Sequence, residues 1–252
     1  MNYIGSADRE TMLLERPVLQ KTVMDICDRH GFTLDRNPGR HAGGKMVWRY
    51  PSALGQKGNL EIDLNFIYRI PLWPIEFKSS CVIGSKQIHN VPVLDLHELS
   101  AGKLSALIDR KTGRDLFDAH YLLTKTNLDR DKLRLALVIY SAISRKADLR
   151  KLTPQSITVD ITDLNNRLIP LIRKKEIEGM NDIANWAAQM VQECQQAFEH
   201  FLPLNNNEHL FLQNLLDKGI VEPELITADQ TLIDNIKNHP AIRWSAQQYI
   251  NN

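Results

Sequence analysis

Lys103, Arg110, Arg114, Asp115 and Asp118 fall within sixteen residues of one another. Cations and carboxylates gathered in this way are the parts a transfer at phosphorus uses: positive charge to offset a departing pyrophosphate, and acids to hold Mg²⁺ or to position an attacking hydroxyl. The same residues also admit an ordinary reading. Asp115 would cap a helix, Asp118 would complement its dipole, and Lys103 would be solvated. On these side chains alone both readings stand.

Two helices and a tight joint must position them. Leu99, Gly102, Leu104 (with Ala106), Leu107 and Ile108 recur at helical spacing, and Lys103 and Arg110, seven residues apart, share one face of that helix. Thr112-Gly113-Arg114-Asp115 reads as a turn with a capping-box pattern. Leu116, Phe117, Ala119, Tyr121, Leu122 and Leu123 then supply the apolar stripe of a second helix, with both aspartates near its start.

Upstream, the signals mix helix and strand. Ser6 or Asp8 can start a helix through residues 10–15, and Pro17 fits the first turn of another that Gly31 stops. Residues 32–34, 46–50, 60–66, 75–83 and 91–94 read as strands. In Leu60-Glu61-Ile62-Asp63-Leu64-Asn65-Phe66 the alternation is strict: the apolar residues face a core, and Glu61, Asp63 and Asn65 share the other face. From Asp129 onward the patterns are helical, over 132–144, 161–173, 182–201, 208–218 and 231–236, with Asn181 and Asn207 as cap candidates and Trp186, Met190 and Phe198 as bundle core. The expected architecture is α+β: residues 1–125 form an α+β domain, and residues 126–252 a helical C-terminal domain.

Composition bounds the possibilities. At 252 residues the chain can bury a substantial core, and 31 basic against 30 acidic residues give a net charge of +1, with no global case for nucleic acid or an acidic membrane. Cys27, Cys81 and Cys194 have no metal-ligand spacing and read as reduced core thiols. No apolar run is long enough to cross a bilayer and no leader is legible, so a cytoplasmic location is expected.

The string Glu98-Leu99-Ser100-Ala101-Gly102-Lys103, followed by Ala106-Leu107-Ile108-Asp109-Arg110 and Arg114-Asp115-Leu116-Phe117-Asp118, resembles the signature of the AbiEii/AbiGii toxin family of DNA polymerase β-like nucleotidyltransferases. Residues 59–66 and 69–74 resemble the same family. The resemblance implies a polymerase β-like core in which Lys103 engages the triphosphate, Asp115 and Asp118 complete the active site, and Arg110 and Arg114 serve as phosphate or structural cations. It also implies Mg²⁺, a nucleoside triphosphate, an RNA acceptor, a cognate antitoxin and a place in toxin–antitoxin or abortive-infection systems. In the family an Asp-x-Asp metal site comes early, and residues 2–10 resemble the sequence that follows it. The main metal ligands are therefore expected upstream of Met1, which leaves the activity of this chain open between an enzyme and an inactive, truncated binding module.

Other residues carry weaker signals. Asp63 is either the third carboxylate of the nucleotidyltransferase, and a metal ligand, or an acid on a solvent-facing strand. Arg36, Arg40, His41, Lys45 and Arg49 make a basic cluster near Trp48 and Tyr50, suited to phosphates and stacked bases or simply to a solvated loop. Asp63 with Glu76 and Lys78 also matches the short Asp…Glu-x-Lys pattern of metal-dependent nucleases, which alternating charges on strands often produce by chance. His89, His97 and His120 read as surface or capping residues.

Overall fold

Asp8 opens the first helix by accepting the Thr11 N–H at 2.7 Å, and α1 (Arg9–Arg29) follows. The structure is a computed structural model that describes residues 1–37, 43–53, 55–144, 148–173 and 182–250. Pro17 lies inside α1 instead of dividing two helices, which corrects the expected break. It cannot donate to the preceding turn, but that turn is open to water, with Leu13 and Leu14 exposed. Met12 on one side of it and Cys27 on the other are both buried in the same core, so a single helix is retained.

Gly31, at φ +77°, turns the chain into a three-stranded antiparallel sheet of β1 (Thr33–Arg36), β2 (Gly43–Pro51) and β3 (Lys57–Asn65), with β2 central. The register pairs Trp48 with Leu60 and Lys45 with Asp63. Alternation thus sends Met46 and Trp48 into a core with Leu64, Phe66, Met12 and Cys27, and Lys45 and Arg49 to the opposite face. Trp48 is fully buried there, so it is a core residue and not a stacking platform.

Packing divides the described chain into two compact units, Met1–Pro71 with Asn238–Ala241, and Leu72–Lys237 with Ile242–Asn252. A division at residue 125 is one of sequence character. The helices on either side of the 110–113 joint pack with the helices that follow them, inside the second unit.

The second unit begins with a hairpin of β4 (Glu76–Lys78) and β5 (Val91–Val93). The strand expected over 75–83 is shorter because the chain turns back at Gly84, where Ile83 and Lys86 exchange backbone hydrogen bonds. Then come α2 (Leu96–Arg110), α3 (Gly113–Lys125) and α4 (Arg130–Ile143). The helix expected over 161–173 is broken into one α-turn at Ile161–Asp163, a wide turn at Leu164–Leu168 and a tight one at Ile169–Leu171, where Pro170 withholds its N–H. Among the described residues, the α-helices that follow are α5 (Ile183–Phe198), α6 (Asn206–Lys218), α7 (Gln230–Asn238) and α8 (Pro240–Ile250).

Asn205, not Asn207, caps α6 in a reciprocal capping box with Glu208, and Asn181 lies outside the described residues. α2 packs on α3 and α4, α3 on α5, and α4 on α6. Met190 and Phe198 are buried as expected, and Trp186 meets Phe117 of α3 at 6.4 Å between ring centres. Tyr121, expected in the apolar stripe of α3, is exposed.

Candidate active site

α2 ends because Lys111 adopts a left-handed conformation at φ 53°, and Thr112 then caps α3 through its side chain. The reversal lays the start of α3 beside the end of α2, and two ion pairs cross between them. Near the joint, Arg110 grips Asp115 with two parallel bonds, Nε to Oδ2 at 3.0 Å and Nη2 to Oδ1 at 2.6 Å. The Thr112 hydroxyl adds a third bond, donating to Oδ2 at 2.7 Å. One turn further on, Lys103 Nζ meets Asp118 Oδ2 at 2.7 Å.

The two rungs differ in exposure. The Asp115 side chain is 8% exposed, while Lys103 and Asp118 are 47% and 40% exposed. Burial alone would push the Asp115 carboxyl up, but the Arg110 guanidinium and the Thr112 hydroxyl outweigh it and hold the group below the usual carboxylate range. Arg110 is correspondingly held above its ordinary value by hydrogen bonding to Asp115, against the opposing effect of burial. Asp115 is thus a buried carboxylate that accepts three hydrogen bonds, and Lys103–Asp118 is the rung that faces solvent. Arg114 is exposed on the first turn of α3 and has no hydrogen-bond or ion-pair partner among the described residues.

Gly113 fixes the joint from the other side. Its N–H donates to Asp163 Oδ2 at 2.8 Å, and a Cβ at this position would stand 2.7 Å from the Leu164 Cα. No side chain fits there without moving backbone.

Glu98 belongs to the signature string, and its role becomes visible only in the fold. It is 1% exposed, accepts the Leu72 N–H at 2.9 Å and the Tyr140 hydroxyl at 3.0 Å, and is also approached by the Trp73 N–H. Desolvation dominates these bonds and pushes the carboxyl up to about 7. The available signal was its phase: Glu98 is in register with Ala101, Ser105 and Ile108, all buried.

The remaining candidates lie elsewhere. Asp63 is exposed on β3 in the first unit, opposite Lys45, whose amine pairs with Glu61 at 2.7 Å. Arg49 bonds Asn59 and Asp35, at 2.6 and 3.2 Å, while Arg40 and His41 lie outside the described residues. Glu76 and Lys78 pair with each other on one face of β4 in the second unit. His97 links the starts of α2 and α4, contacting Asp95 at 3.0 Å and accepting the Asp129 N–H at 3.0 Å. His120 contacts Glu193 at 2.7 Å, and His89 contacts the Ser79 hydroxyl at 2.9 Å. Cys27 and Cys194 are buried, but Cys81 is exposed on the hairpin, against the expectation of a core thiol.

These side chains do not fit a resident magnesium ion. Asp115 and Asp118 are each engaged by a cation, and among the described residues no three of His, Cys, Asp and Glu converge as a metal site would require. Nor is any described helix long and apolar enough to cross a membrane.

The joint, its paired charges and the helices that hold them lie within residues 11–208, the span matched by the family model described as nucleotidyl transferase AbiEii toxin, type IV toxin–antitoxin system. The chain belongs to the AbiEii nucleotidyltransferase toxin family. Among solved structures this AbiEii chain is similar to MenT4, a nucleotidyltransferase toxin from Mycobacterium tuberculosis H37Rv, with 17% identity and a TM-score of 0.48 over 84% of this chain and 67% of that one. Comparison with curated proteins gives no match.

Proposed function

We propose that this AbiEii-family chain binds a nucleoside triphosphate at the α2–α3 joint and transfers its nucleotidyl group to an RNA hydroxyl. The observation that carries the reading is the Lys103–Asp118 pair, 2.7 Å apart and half exposed, built one turn along α3 from the Arg110–Asp115 pair, whose carboxylate is buried. In the transfer, the acceptor oxygen bonds to the α-phosphorus, the bond from that phosphorus to the bridging oxygen breaks, and pyrophosphate leaves while the hydroxyl proton passes to water. Lys103 offsets the charge that gathers on the pyrophosphate, and Asp118 holds the ammonium in place. Arg114, exposed beside them, is the second phosphate cation. Arg110 and Asp115 keep the joint closed, which makes Asp118 the downstream acid of the pair. A cognate antitoxin is the partner of the system.

Labelled nucleoside triphosphates, Mg²⁺ and total RNA test this directly. The protein should transfer label, and Lys103→Ala should reduce incorporation by about a hundredfold or more. Triphosphate binding without incorporation would replace transfer with a binding module. Undiminished incorporation by Lys103→Ala would overturn the site.

A further inference from the structure

Lys103 owes its direction to how α2 is rotated about its own axis. A helix advances about 100° per residue, so Lys103 points roughly 140° away from Glu98. Fixing the one therefore fixes the other. Glu98 is held from two sides: the Leu72 N–H reaches it at 2.9 Å from the segment before β4, and the Tyr140 hydroxyl at 3.0 Å from α4. Gly102, one turn beyond Glu98, completes the contact, since a Cβ there would lie 3.3 Å from Tyr140 Cε1. The Tyr140 ring thus lies along α2 from Gly102, beside the lysine, to Glu98, where its hydroxyl is bound. Burying a carboxylate without a cation is costly, and these bonds concentrate that cost on one orientation of the helix.

We propose that Glu98, through the Tyr140 hydroxyl and the Leu72 N–H, is the positioning residue that aims Lys103 at the triphosphate. The inference rests on the assignment of Lys103 as the phosphate cation. Glu98 touches no substrate. It removes the rotational freedom of α2 that would let the ammonium drift from the phosphates, an effect on triphosphate binding more than on turnover.

A double-mutant cycle on the full chain separates this from a merely structural role. Glu98→Gln and Tyr140→Phe are each made alone and with Lys103→Ala, and KM for the triphosphate, kcat and the urea midpoint are measured for all. Each single substitution should raise KM roughly five- to tenfold with kcat little changed. In the Lys103→Ala background neither should raise KM further. Tyr140→Phe, which removes only a hydroxyl, carries the test if Glu98→Gln does not fold. Equal increments with and without Lys103, or a KM that does not move, would overturn the proposal. Failure of Lys103→Ala itself to weaken triphosphate use would instead overturn the reading of the site on which the proposal stands.

Discussion

Two carboxylates are buried at α2, Asp115 beside its C-terminal end and Glu98 toward its N-terminal end, and they are treated in opposite ways. At the C-terminal end, Asp115 meets a guanidinium in a two-bond fork and is held below its ordinary value. Toward the N-terminal end, Glu98 meets, among the described residues, only neutral donors, two backbone N–H groups and a phenol, and is raised to about 7. Burial is common to both, so the charge on the partner decides the sign. The carboxylate with the cation is a lock, and Glu98 is a group whose proton is still in play near neutrality.

The largest effect that would test this contrast is a pH dependence. The folded value of Glu98, about 7, lies above the ordinary 4.5, so its protonated form favours the fold. That stability is complete below pH 4.5 and is lost as pH rises through 7. Between pH 5 and 8 the unfolding free energy should fall by about 2 to 3 kcal/mol more in the wild type than in Glu98→Gln, measured by urea denaturation at each pH. Parallel curves for the two proteins would show that Glu98 does not titrate in this way.

At the other end of the helix the sign reverses. Asp115→Ala should cost about 2 kcal/mol at pH 7, less than a fully enclosed pair would, because the Arg110 side chain is 61% exposed and stays partly hydrated. Since Asp115 is depressed, its contribution is present above pH 3.8 and lost as pH falls through the folded value, where the wild type and variant should converge. A variant as stable as the wild type at pH 7 would mean that the fork is not what closes the joint. The smallest effect belongs to the outer rung. Asp118→Ala should alter thermal or urea stability by less than about 1 kcal/mol while sharply reducing nucleotidyl transfer, a separation that would place chemistry on one rung and architecture on the other.

Local pattern made much of this legible. The Thr112 cap of α3, the shared face of Lys103 and Arg110, and the strict alternation of residues 60–66 each depend on neighbours in sequence, and the structure reproduces them, although Asp115 accepts the Thr112 hydroxyl where a full capping box would have it accept the Thr112 N–H. What escaped depends on distant neighbours. Pro17 is accommodated because Met12 and Cys27 share a core with the sheet, and nothing local announces that. Trp48 looked available beside arginines and is buried, because alternation assigns faces without saying which face is covered. α8 went unread although Ala241, Ile242, Ser245 and Ala246 are buried at helical spacing, since a stripe of small residues is a weak apolar signal. The unequal exposure of Asp115 and Asp118 was likewise invisible, because three residues along a helix suffice to move from packed to wet.

The approach of Leu164 to Gly113 bears on how this protein can be dissected. The backbone at 164 forms part of the wall against which the first turn of α3 rests, and Asp163 supplies a bond that turn would otherwise lack. A fragment ending at Lys125 would retain every residue of the sequence signature yet lose the surface that seats it. Minimal versions for expression should therefore extend past Leu171, so that the signature travels with its support.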